Sequence, residues 1–182
     1  MIYSKGKNDE CYTPAYGVKP ILKYIEMYYY DVFIKEQGID PYDNLIVWCP
    51  FDKEESKFVK LIAELPFVTV TYSHIEYGQD YYEYEPDKWD IMVSNPPFSK
   101  KRFIFERALK FNKPFALLMT NAWLNDKYSK FVFKEANKDM QLLMFDKRIL
   151  YGQGSNITFS SSYYCCDFLP KQIIIEELPI DN

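Results

Sequence analysis

Trp89-Asp90-Ile91-Met92-Val93-Ser94-Asn95-Pro96-Pro97-Phe98 runs from an apolar stretch straight into two consecutive prolines. Residues 89–94 have the short, apolar, β-branched character of a buried strand. A proline pair just beyond it is poor material for an ordinary turn, because each proline fixes φ and removes a backbone donor. Proline also drives the preceding residue towards extended backbone, so Asn95 and Pro96 are both held out straight. The stretch predicts a rigid projection at the carboxyl end of a strand. It would present the Asn95 side-chain oxygen and the Pro96 carbonyl as neighbouring acceptors, with the Phe98 ring just beyond. Two such acceptors can grip both hydrogens of a planar amine and favour a pyramidal nitrogen, which frees its lone pair for attack. The plainer alternative is a proline-stiffened turn with Asn95 as a helix cap.

Working outward, apolar residues at helical spacing predict a helix over 18–37 that stops at Gly38. A turn at Pro41-Tyr42-Asp43-Asn44 leads into a strand, Leu45-Ile46-Val47-Trp48-Cys49, stopped by Pro50. A helix is expected over 53–65 with Asp52 as its N-cap. Further strands are expected at 67–72, 115–119 and 142–145, with helices at 101–111 and 123–137. Residues 157–168 and 172–176 read as a closing antiparallel β-hairpin. Strands alternating with helices specify an α/β fold, a mainly parallel central sheet with helices on both faces. Ligands in such sheets sit beyond the carboxyl ends of the strands, which directs attention to the residues after Cys49, Tyr72, Ser94 and Met119.

The 182 residues suit a single domain, 1–182, with its N-terminal helical segment, about 1–40, packed on it. A net charge of −4 argues against broad phosphate neutralisation, so any nucleic-acid contact must be local. Cys11, Cys49, Cys165 and Cys166 lack CxxC spacing and the single His74 adds little, so no metal site is expected and the thiols read as reduced. Cys165 and Cys166 read as buried packing. With no apolar stretch near the roughly 20 residues needed to span a bilayer and no signal-peptide pattern at the N-terminus, a cytoplasmic protein without membrane contact is expected.

Asn95-Pro96-Pro97-Phe98 resembles the active-site tetrapeptide of the N-6 adenine DNA methyltransferases, especially their small phage- and prophage-type members. The resemblance covers most of the chain and implies a Rossmann-like methyltransferase fold with S-adenosylmethionine as cofactor. It implies methyl transfer to the exocyclic amine of an adenine in DNA, flipped or unpaired so that Phe98 can stack on it. Asn95, Pro96, Pro97 and Phe98 would be catalytic. Tyr12-Thr13-Pro14, after Cys11, is similar to the family's aromatic-Thr-Pro segment that contacts the methionine end of the cofactor. Gly78-Gln79-Asp80-Tyr81 resembles the segment after the third strand, where an acidic residue and an aromatic contact the cofactor's adenine. Read without the resemblance, Thr13 and Pro14 are a helix start and Asp80 a turn residue.

The chain departs from the family after the first strand, where Pro50-Phe51-Asp52 replaces the usual glycine-rich turn. Pro50 can make a different turn, and Asp52 either hydrogen-bonds a cofactor hydroxyl or caps the next helix. Glu76, with Ser73 and His74, is the nearest match to the acidic residue that holds the ribose. Lys100, Lys101 and Arg102 follow the tetrapeptide, as phosphate contacts or as a solvated helix start. Tyr81, Tyr82 and Tyr84 suit either stacking or a core edge. A sizeable target-recognition domain does not fit in the residues that follow Phe98, and a separate recognition subunit is one partner that the resemblance allows. The alternatives are a methyltransferase acting on RNA or a protein glutamine amide, and a degenerate binding module without activity.

Overall fold

The computed structural model describes residues 12–35, 40, 43–151 and 159–179. Cys11, the helix stop at Gly38, the turn residues Pro41 and Tyr42 and the start of the penultimate strand at 157–158 lie outside these. Helix α1, Ala15–Tyr28, passes directly into a π-helical segment, Tyr29–Ile34. Strand β1 is Leu45–Cys49, α2 is Lys57–Ile62 and β2 is Val68–Tyr72. After a 3-10 turn at Ile75–Tyr77 come β3, Ile91–Ser94, α3, Lys101–Lys110, and β4, Phe115–Thr120. A second 3-10 turn, Asn121–Asn125, precedes α4, Lys127–Glu135, and strands β5, Gln141–Phe145, β6, Ser161–Cys166, and β7, Ile173–Glu176.

The strands form one seven-stranded sheet in the order β2-β1-β3-β4-β6-β5-β7. The first four are parallel, β6 runs antiparallel to both β4 and β5, and β7 is parallel to β5. Central strands β3 and β4 are buried throughout, which is why they read as unbroken apolar runs, whereas the edge strand β7 alternates. One apolar cluster packs α1, α2, Cys49, Val93 and Tyr163 on one face. A second packs α3, Trp48, Trp123 and Tyr164 on the other. Among the described residues Phe98 alone packs against both.

Two expectations are corrected. The C-terminal strands do not close on each other as a hairpin, because both flanks of β6 are taken by β4 and β5. The chain leaves β6 through Asp167, at φ 50, and is clamped by Gln141: its Oε1 accepts from Phe168 N and Leu169 N at 2.9 Å each, and its Nε2 donates to Leu169 O at 2.7 Å. That delivers β7 to the outside of β5. The second correction concerns α2, whose N-cap is Ser56 and not Asp52: Ser56 Oγ accepts from Phe58 N at 3.1 Å.

Candidate active site

The strand order reverses at β1, with β2 on one side and β3 on the other, so the crevice between the carboxyl ends of β1 and β3 is the switch point of the sheet. Asp52 lies there. Only 7% of it is exposed, and it accepts hydrogen bonds from Ser56 Oγ and, at 2.5 Å, from Ser94 Oγ. Burial pushes its carboxyl up to about 6, against the lowering effect of the two hydroxyls. Where glycines are missing, the turn is fixed by side chains instead. Trp48 Nε1 donates to Ser73 Oγ at 3.0 Å, Ser73 Oγ reaches Pro50 O at 3.4 Å, and Ser73 N donates to Cys49 O at 3.1 Å. Pro50 is buried. Burial, and secondarily the charge of Asp52, hold the Cys49 thiol well above its ordinary pKa, so it is no nucleophile.

Asn95 is half-buried with its Oδ1 shielded from solvent, Pro96 is buried, and Pro97 and Phe98 are half-buried. The Phe98 ring meets Phe159 at 5.1 Å and Tyr151 at 6.0 Å, both edge-on, and Tyr151 and Phe159 lie 5.9 Å apart. Sequence reasoning did not find these two aromatics, which enter from beyond β5. Nearby at the carboxyl end of β4, Asn121 N donates to Ser160 O at 2.8 Å. Asn121 Oδ1 and Ser161 Oγ are shielded from solvent with no hydrogen-bond partner among the described residues. Only the rule that strand ends line the cleft pointed here.

Of the expected cofactor residues, Tyr12 is exposed, Pro14 is half-buried and Thr13 is 8% exposed. Thr13 does not cap α1: the N-cap position is Pro14, with no side-chain hydrogen bond. Its Oγ1 is buried with no hydrogen-bond partner among the described residues, which fits a hydroxyl kept for a bound group. Asp80 spends Oδ1 on Tyr82 N at 3.0 Å, and its carbonyl accepts from Tyr84 N at 2.7 Å. No strand forms between β2 and β3 to precede this segment. Tyr81 lies in the core at 3% exposure, its ring 4.5 Å from Phe51 and its hydroxyl donating to Ile104 O at 3.1 Å. Glu76 is bridged by Lys53 at 2.7 Å, a hydrogen bond that holds its carboxyl below the ordinary value. His74 Nδ1 accepts from Glu76 N at 3.2 Å.

The three cations after the tetrapeptide do not act alike. Lys100 stands at φ 55 with its ammonium 5.9 Å from the centre of the Tyr82 ring. Arg102 is engaged within its own helix surface, donating from Nε to Glu106 at 2.6 Å and lying 4.6 Å over Tyr128. Lys101 has no carboxylate partner among the described residues.

No family model and no curated protein matches this sequence. Solved structures do match in fold. One from Listeria monocytogenes, described as a class I S-adenosylmethionine-dependent methyltransferase, superposes with a TM-score of 0.56 at 11% identity, over 96% of this chain and 68% of that one. The fold is therefore the Rossmann-like class I methyltransferase fold. A modification subunit of a type I restriction enzyme from Vibrio vulnificus YJ016 aligns at a TM-score of 0.44 and 12% identity, over 97% of this chain but 49% of its own length. The protein-(glutamine-N5) methyltransferase of Alicyclobacillus acidocaldarius aligns at 0.41 and 12%, over 90% of this chain and 98% of that one. Among the described residues, no helix is long and apolar enough to cross a membrane.

Proposed function

We propose that this protein transfers a methyl group from S-adenosylmethionine to the exocyclic amine of an adenine in DNA. The observation that carries the reading is Asn95-Pro96-Pro97-Phe98 at the carboxyl end of β3, beside the switch point of a methyltransferase fold. Asn95 Oδ1 and the Pro96 carbonyl would accept the two amine hydrogens and hold the nitrogen's lone pair towards the cleft. Phe98 would stack on the base, steadied by Tyr151 and Phe159, and an unpaired or flipped base is needed to reach it. The cofactor supplies an electrophilic methyl group. The unpartnered Thr13 hydroxyl, with Tyr12 and Pro14, would hold its amino-acid end, and the backbone at Pro50, Asp80 and the Glu76 carboxylate would flank the rest. Asp52 would act from behind by fixing the turn, since both its oxygens are engaged by serines. DNA is the expected partner, and a separate recognition subunit is one route by which it could be presented.

One observation favours a second reading, a degenerate binding module. A carboxylate sealed by Ser56 and Ser94 stands where backbone would approach the cofactor. Calorimetric titration with S-adenosylmethionine and its demethylated product separates the two, and heat of binding is expected. Tritiated methyl transfer should then label unmethylated DNA oligonucleotides and not RNA or a glutamine peptide. Label in either of those alone would move the acceptor, and no heat with either cofactor form would leave only the binding module.

A further inference from the structure

Tyr82, Lys100 and Phe103 line an open surface cleft of about 250 Å³ beside the tetrapeptide. We propose that this cleft holds the nucleobase adjoining the target base, stacked on Tyr82 and Phe103, with Lys100 meeting its phosphate. The proposal rests on the nucleic-acid reading above and adds a subsite to it.

Three features point to that occupant. Phe103 is 56% exposed, a large ring with the Arg102 guanidinium near its face, 5.9 Å from its centre, while its neighbours Ile104 and Phe105 are fully buried. The backbone at Tyr82 is fixed before any ligand arrives, because its N–H is tied to the Asp80 carboxylate and the adjacent Tyr81 is locked in the core. Lys100 adopts a left-handed backbone conformation that non-glycine residues seldom take, two residues past Phe98, and its ammonium lies over the Tyr82 ring, 5.9 Å from its centre, so a base that stacks there draws the cation aside towards its phosphate. The volume falls below the roughly 300 Å³ at which pockets for larger ligands begin, which suits one planar ring system. Two aromatic faces and one cation, with no carboxylate and no amide to read a base edge, suit stacking that tolerates any base. An acidic peptide would use the cation and leave both rings idle.

The test uses short single-stranded oligonucleotides carrying the fluorescent base 2-aminopurine on either side of one adenine, titrated with the full chain. Quenching is expected when the probe adjoins the target, and Tyr82→Ala and Phe103→Ala should each abolish it and weaken binding about fivefold or more. Tyr82→Phe should retain both. Because Phe103 is exposed, its replacement leaves the thermal melt unchanged and carries the test alone if Tyr82→Ala unfolds. Absence of quenching with the wild type, or quenching undiminished in the alanine variants, overturns the subsite. Oligonucleotides that are quenched but never methylated overturn methyl transfer and leave the subsite standing. Methylation with a KM unmoved by either alanine overturns the subsite alone.

Discussion

The Ser94 hydroxyl donates to Oδ2 of Asp52 at 2.5 Å, so the last residue of β3 is tied to the turn after β1 immediately before the chain enters Asn95. A single buried carboxylate thus sets two of the loops that frame the cleft, in place of a glycine-rich turn.

The pKa of Asp52 makes this bond pH-sensitive. It rises from 3.8 to about 6 on folding, so its contribution to stability is fully present below about 3.8 and is lost as pH rises through about 6. The loss is at most about 3 kcal/mol. Asp52→Asn should remove this dependence, its melting temperature holding level between pH 5 and 7, above the range in which the lowered carboxyls of Glu76, Asp146 and Glu176 titrate, while that of the wild type falls. Parallel curves for the two proteins would show that Asp52 keeps an ordinary pKa. Asp52→Ala, which strands two hydroxyls, should destabilise by about 1–3 kcal/mol at neutral pH.

Thr13 separates binding from folding. Replacing a buried hydroxyl that has no partner by a methyl costs the fold nothing, so Thr13→Val should melt at or slightly above the wild type. Its affinity for S-adenosylmethionine should fall about two- to tenfold, read by calorimetry. Gly17 guards the same spot: a Cβ there would lie 3.0 Å from Thr13 Cγ2 and 3.1 Å from Ile149 Cδ1. Gly17→Ala should therefore weaken cofactor binding without the usual helix gain in stability.

Asn95→Ala should lower methyl transfer about a hundredfold or more while cofactor affinity stays near that of the wild type. The comparison is tritiated transfer beside calorimetry on the same preparations. An unchanged rate would remove Asn95 from the chemistry.

Because Arg102 is held by Glu106 and Tyr128, Lys100 and Lys101 should carry the phosphate contacts near the tetrapeptide. Two contacts predict a salt slope for single-stranded DNA of about −1.4. Replacing both lysines by Gln should flatten it, whereas Arg102→Gln should leave it unchanged. A steep slope surviving the double replacement would place the nucleic acid on another surface.

The strands were legible because β1, β3 and β4 read as unbroken apolar runs, whereas the expected projection at Asn95-Pro96-Pro97-Phe98 lies lower in the cleft than proline chemistry alone implies, with Pro96 buried and Asn95 Oδ1 shielded from solvent. What escaped depended on contacts between residues distant in sequence. Gln141 diverts β7 around β5, a partnership no local pattern announces. The helix over 18–37 continues as a π-helical segment from Tyr29, whose ring stacks on Phe67 at 4.4 Å. Asp52 has the chemistry of a helix cap, but Ser56 caps the helix through Phe58 N and Asp52 instead accepts from Ser56 and Ser94. Tyr81 and Arg102 carry the right chemistry for ligands, yet the core takes one and Glu106 the other.

The sheet divides the interior into two apolar compartments, and Phe98 wedges against both. A base pressed onto that ring therefore leans on each compartment at once. Substrate arrival should register as slower amide exchange in α1 and in α3 together, a tightening of the whole body from one point. The same position makes Phe98 costly to alter: a smaller side chain would loosen the seam between the two halves and, under the proposed function, the grip on the base with it.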